Sequence, residues 1–168
     1  GSEMCIRDRA HSPGNKAGRR PDRAVIVYSN ILRRLYPDTP ILLGGLEASL
    51  RRFAHYDYWD DAVRPSILVD SGADLLMFGM GERTILVTAD WMSRGAPVWE
   101  CAKMRGVCFL SPAAMRASIE IPSYEDCVRS KKKYGEAFLV QYNEQDPIRG
   151  HAISQRHGDQ YVVQTVPD

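Results

Sequence analysis

The chain has 168 residues, enough for one domain with its own core. Hydrophobic residues make up 44% and charged residues 26%, and the formal net charge is +1. That balance argues against a nucleic-acid-binding protein, which concentrates basic charge on one face. No apolar run approaches the roughly 18 residues that span a bilayer, and the N-terminus lacks the apolar segment of a secretory signal. The expected location is therefore cytoplasmic, with no membrane partner.

The first nine residues, GSEMCIRDR, have no period and read as a non-native leader, so Cys5 is set aside. Residues 10–20 are rich in glycine, proline and basic residues and read as a loop. Pro21 then opens an expected helix over 22–36, with Val25, Ile26, Ile31, Leu32 and Leu35 on its buried face. Tyr36-Pro37 ends it, because the residue before proline avoids helical geometry.

Ile41-Leu42-Leu43 is a short apolar run stopped by Gly44-Gly45, the pattern of a strand buried on both faces. A short helix over 46–54, an aromatic and acidic loop over 55–65 and a helical turn over 66–71 follow. The pattern then repeats. Asp74 to Phe78 is a second buried strand, Gly79-Met80-Gly81 its turn, and Glu82 to Arg94 a helix with Ile85, Leu86, Ala89 and Met92 inward. Residues 106–110 give a third strand. Alternation of this kind predicts an α/β fold: a partial open parallel sheet with flanking helices, flavodoxin-like.

The C-terminal part differs. Ser123 to Gln145 is expected to form one long charged helix, capped by Ser123, with Lys131-Lys132-Lys133 solvated in its middle. Residues 151–166 predict a β-hairpin turning at His157-Gly158-Asp159, with a packing partner beyond residue 168. The division is a leader (1–9), an α/β domain (10–115) and a helix-plus-hairpin segment (116–168).

The two glycine turns are the candidate binding edge. Ligands of open α/β sheets bind at the carboxyl ends of the strands. Glycines there let a ligand approach the backbone. The candidate residues are Gly44, Gly45, Glu47, Gly79, Gly81 and Glu82, with both glutamates placed to cap helix N–H groups or accept from a ligand hydroxyl. Spacing alone does not separate turn geometry from ligand contact, since neither turn is a complete dinucleotide fingerprint or P-loop. Arg51, Arg52, His55, Asp57 and Trp59 follow the first turn and can grip a phosphate or a ring. The structural alternative pairs Arg51 and Arg52 with Asp60 and Asp61. A lone His55-x-Asp57 is weak support for a metal, and no catalytic residue is assigned. Ser49 and Ser111 have no neighbouring histidine, and His11, His151 and His157 read as surface or turn residues.

The runs GGLEASLRRFAHYDYWDD and ADLLMFGMGER, within Lys16 to Arg83, closely resemble the N-terminal region of the YgiQ-type radical SAM proteins. The resemblance is strong over about residues 11–95 and looser through the final QRHGDQYVVQTVPD. It implies an α/β N-terminal domain similar to cobalamin-binding domains, followed by a radical SAM barrel. In the barrel a Cys-x3-Cys-x2-Cys motif holds a [4Fe–4S] cluster that binds S-adenosylmethionine. Here that motif is absent: Cys101, Cys108 and Cys127 are separated by six and by eighteen residues. A cluster needs thiolates gathered around one corner. The Asp-x-His-x-x-Gly motif of cobalamin proteins is absent as well, so cobalamin has no support from the residues.

The expectation is an N-terminal accessory domain of a radical SAM iron–sulfur protein, with no cofactor of its own. The cluster and S-adenosylmethionine belong to the parent protein, and the barrel of the same chain is the partner, with a small molecule at the glycine edge. The alternatives are a stand-alone nucleotide- or corrinoid-binding module and a pure docking domain.

Overall fold

The structure is a computed structural model; it describes Gly14, Lys16 and residues 21–168. The leader reading and His11 lie outside the described residues. Helix α1 (Ala24–Leu35) leads to strand β1 (Leu42–Leu43), helix α2 (Gly45–Leu50) and a ribbon of β2 (His55–Asp57) and β3 (Ala62–Arg64). Then come α3 (Ile67–Ser71), β4 (Leu75–Met77), α4 (Glu82–Ser93) and a 3-10 helix (Val98–Lys103). The remainder is β5 (Val107–Ser111), β6 (Ile119–Ile121), α5 (Tyr124–Arg129), α6 (Lys131–Asn143), β7 (Ile153–His157) and β8 (Gln160–Gln164).

The fold is α/β, with one open sheet in the order β1-β4-β5-β8-β7-β6 among the described residues. β1 and β4 run parallel, with Leu42 opposite Leu75, as the repeated strand–turn–helix pattern predicts. β5 does not continue that parallel run: it pairs antiparallel to β4, with Met77 opposite Val107. The reason is the connection. After α4 the 3-10 helix carries the chain back to the carboxyl end of β4, where Phe78 N–H donates to Gly106 O at 3.0 Å. β5 therefore starts where β4 stops.

The hairpin is not an appendage awaiting a partner. β8 pairs antiparallel with β5, and β7 pairs parallel with β6, so β7 and β8 are interior strands. Side-chain alternation puts successive β4 residues on opposite faces. Leu76 and Phe78 join a core with Leu43, Phe53, Leu68, Cys108, Ile153 and Val162. Leu75 and Met77 join Cys101 and Val107 on the other face, covered by Trp91, Val98 and Met104.

Two expected helix faces are corrected. In α4 the buried residues are Thr84 and Thr88, while Ile85 and Leu86 are exposed. In α1 Val25 and Ile26 pack against the core as expected and Ala24 and Ser29 are buried, while Ile31, Leu32 and Leu35 are exposed. The long charged helix is also two helices. Ser130, at φ −143° and ψ 114°, breaks the chain between α5 and α6 and accepts from Lys133 N–H at 3.4 Å. The three lysines thus open α6 rather than sit mid-helix, and Lys133 pairs with Glu136 at 2.8 Å. Ser123 caps α5 as expected, accepting from Asp126 N–H at 3.1 Å.

Candidate functional site

Parallel pairing of β1 and β4 places both glycine turns at one edge of the sheet. Ser49 ties them together: its hydroxyl donates to Gly45 O at 2.9 Å and accepts from Gly79 N–H at 3.2 Å. Gly45 (φ 86°) and Gly79 (φ 71°) occupy left-handed geometry, which explains glycine at both positions. Gly44 is extended at φ −159° and Gly81 lies at φ −81°, so neither needs glycine for its backbone. The glutamates do not cap. No side-chain hydrogen bond closes the N-terminus of α2 or α4. Glu47 instead pairs with Arg51 one turn on, at 3.3 Å, and Glu82 is exposed.

The ribbon β2–β3 turns the segment after α2 into an ordered arm. Asp57 is its anchor, with a side chain 1% exposed. Arg23 donates to Asp57 at 2.9 Å and also to Asp60, while Trp59 N–H donates to the second Asp57 oxygen at 3.0 Å. Burial opposes the charge on Asp57, yet these bonds hold its carboxyl below the usual range. Asp60 also accepts from Arg64 at 2.6 Å, and Asp61 from the Tyr56 hydroxyl at 2.6 Å. The acids of this loop are therefore used, and neither Arg51 nor Arg52 pairs with Asp60 or Asp61. A cleft of about 390 Å³ lies here, lined by Arg23, Glu47, Arg51, Asp57 and Trp59. The Trp59 ring, 77% exposed, leans on Tyr58 at 4.5 Å.

His55 leaves Asp57 to Arg23. Its Nδ1 lies 3.2 Å from Phe53 O, and burial pushes its imidazole down to about 4. Arg52 parts from Arg51 and turns inward, at 8% exposure. Its Nε donates to Gln164 Oε1 at 2.6 Å and its Nη1 to Ser49 O. It borders a second cleft of about 240 Å³ with Ser49, Leu50, Phe78, Gly79, Gln145, Pro167 and Asp168.

Sequence reasoning missed a buried polar seam that fastens this arm to the sheet. Besides Arg52–Gln164, Ala54 N–H donates to Gln155 Oε1 at 2.8 Å, and Ser66 N–H donates to His157 Nε2 at 3.1 Å. Gln155, Gln164 and His157 are buried, so His157 is a core histidine and not a turn residue. Gln164, closing the apolar run Val162-Val163, was the available signal, since a buried amide needs partners. His151 is exposed and contacts Glu144 at 2.8 Å.

The family model described as Radical SAM N-terminal matches residues 2–168. The chain belongs to the radical SAM N-terminal family. It is 49% identical over 162 residues to a UPF0313 protein of Clostridium botulinum, an alignment covering 95% of this chain and 25% of that protein. It is 48% identical over 157 residues to a UPF0313 protein of Thermotoga maritima, covering 94% of this chain and 28% of that protein. This chain thus spans about a quarter of the length of these relatives and is part of a larger protein. No solved structure matches it.

The radical SAM family implies a [4Fe–4S] cluster and S-adenosylmethionine in the parent protein. The described residues of this domain do not fit a cluster. Cys101, Cys108 and Cys127 are each buried as free thiols in the core. Burial pushes Cys108 up to about 12 and Cys127 up to about 11, whereas a cluster ligand must be a thiolate. No three metal-binding side chains converge among the described residues. No described helix is long and apolar enough to cross a membrane.

Proposed function

We propose that this chain is an accessory domain that closes over the catalytic part of its parent radical SAM protein. The contact edge is the one built by Gly45, Ser49, Gly79 and the β2–β3 arm. The observation that carries this reading is the apolar surface at the two turns. Leu46 is 77% exposed, Leu50 67% and Met80 85%, side chains that the aqueous surface of a finished domain seldom gathers. The last described residues run to the same place, since Pro167 and Asp168 border the Leu50–Gly79 cleft. The reductive cleavage of S-adenosylmethionine, in this reading, belongs wholly to the parent's cluster-bearing part. This domain contributes shielding and the position of a small molecule.

Hydrogen exchange tests the contact. Amides of 45–50 and 78–81 should exchange at least about tenfold more slowly in the full-length protein than in the 168-residue chain, as expected for backbone removed from solvent. Leu50→Asp with Met80→Asp should abolish the difference. Equal exchange in the two proteins removes the docking reading.

A further inference from the structure

Among the described residues Arg52 is a buried cation with no counter-ion. Its hydrogen-bond acceptors, Gln164 Oε1 and Ser49 O, are neutral. Its guanidinium stands over the rings of Phe78 at 5.2 Å and Phe53 at 5.8 Å. The carboxylate bordering its cleft, Asp168, pairs with Arg83 at 3.3 Å instead. No carboxylate lies within ion-pair distance of Arg52 among the described residues, and its Nη2 has no hydrogen-bond partner there. Removing a charge from water is costly, and ring faces and amide oxygens offset only part of that cost. A guanidinium held in one orientation with an open donor corner is matched by a planar or tetrahedral oxyanion.

The rest of the cleft suits such a group. Gly79 is exposed, and a Cβ there would meet no atom within 4 Å, so this wall is open. Its floor is Phe78 and its rim Leu50. At about 240 Å³ it is smaller than the roughly 300–1,000 Å³ of sites that enclose drug-sized ligands. It accommodates the anionic end of a small molecule, not an entire nucleotide or corrinoid.

We infer that the Arg52 cleft is a binding site for the carboxylate or phosphate end of a small molecule. The inference rests on the reading of the glycine edge as a binding edge and adds its ligand class. The guanidinium neutralises the ligand, and Phe78 and Leu50 exclude water around the pair. Ligand charge, in turn, supplies what the folded chain leaves missing at Arg52.

The test uses the full-length protein with inorganic phosphate and 13C-labelled acetate as separate probes, read by line broadening of the 31P and 13C resonances. Binding of either probe to wild type, weakened about ten- to hundredfold in Arg52→Met, is the expected result, that being the worth of a hydrogen bond to a charged group. Arg52→Lys should retain part of the binding, because it keeps the charge and loses the fork. Arg94→Gln, at a surface pair with Asp90 away from the cleft, should bind as wild type does. Phosphate against acetate separates the two oxyanion sources. Near-UV circular dichroism checks that each variant keeps its packing; if Arg52→Met does not, the Arg52→Lys affinity decides. The proposal is overturned if neither probe binds, as when a carboxylate of the parent's downstream segment fills the cleft. Binding unaltered in the arginine variants overturns it as well. Hydrogen exchange at 45–50 and 78–81 reports docking separately, so failure of either reading is seen without the other.

Discussion

Ser66→Ala should loosen the arm that carries half of the candidate edge. Ser66 is fully buried between β3 and α3. Its hydroxyl donates to Arg52 O at 2.7 Å and accepts from Leu68 N–H at 3.2 Å as the cap of α3. Loss of a cap costs about 1 kcal/mol. The Arg52 carbonyl then loses its partner in a buried site, at a further cost of about 1–3 kcal/mol. The expected total is about 2–4 kcal/mol. Ser123→Ala is the control: it also removes an N-cap, one that accepts from the N–H three residues on, but its second partner, the Asp126 carboxylate, is exposed and can turn to water. That variant should lose only about 1 kcal/mol. Urea unfolding of the 168-residue chain, followed by far-UV circular dichroism, measures both. With a slope of about 2 kcal/mol/M, Ser66→Ala should lower the midpoint by about 1–2 M without changing the slope. Equal midpoints for the two variants would refute the reasoning, because the Arg52 carbonyl would then be reaching water.

Further predictions concern the core, the histidines and the thiols. Leu76→Ala, at a position with no exposure in the core with Phe53 and Leu68, should cost about 2–5 kcal/mol by the same urea assay. Acid should destabilise the chain before its carboxylates titrate. Burial lowers the folded pKa of His157 and takes His55 down to about 4, against about 6.5 when unfolded. The unfolded chain then binds protons the native chain refuses. Stability present above about pH 6.5 is lost as pH falls toward 4, with His55 alone accounting for about 2 kcal/mol by pH 5. Thermal midpoints between pH 7.5 and 5 should show this fall, and His157→Gln should make it shallower. Cys101, Cys108 and Cys127 should resist a thiol reagent at pH 8 until the chain is unfolded in urea, since all three are buried. Rapid labelling of any of them in the native chain contradicts the core as described.

The short elements around the glycines were legible because their signals are local. Leu42-Leu43 and Leu75-Leu76-Met77 are apolar on consecutive positions, and that pattern fits only strands covered on both sides. Gly45 and Gly79 stand where the backbone needs positive φ, a requirement carried by the residue itself. Ser123 announced its cap for the same reason. The failures lie where a residue has two local options. In α4, Ile85, Leu86 and Ala89 and the pair Thr84 and Thr88 lie on different faces of one helix. Apolar content favoured the first, and packing against the 3-10 helix and Met104, whose Sδ Thr88 Oγ1 meets at 3.7 Å, selected the second. Ser130 can continue a helix or cap one, and the turn of α6 back over β6 decided for capping.

By itself the sequence determined the α/β class, the two strand–glycine–helix units at one edge, the hairpin and the family to which the chain belongs. Each of these follows from neighbours a few positions apart or from long runs of matching residues. Only the tertiary structure decided that β5 runs antiparallel, that the hairpin is interior, and that Arg51 and Arg52 part company. Arg51 meets Glu47 within its own helical turn, at 3.3 Å. Arg52 meets Gln164, 112 positions away. A pairing that distant leaves no periodic trace in the chain. It is set by which strand ends up beside which, and that depends on the packing of the whole sheet.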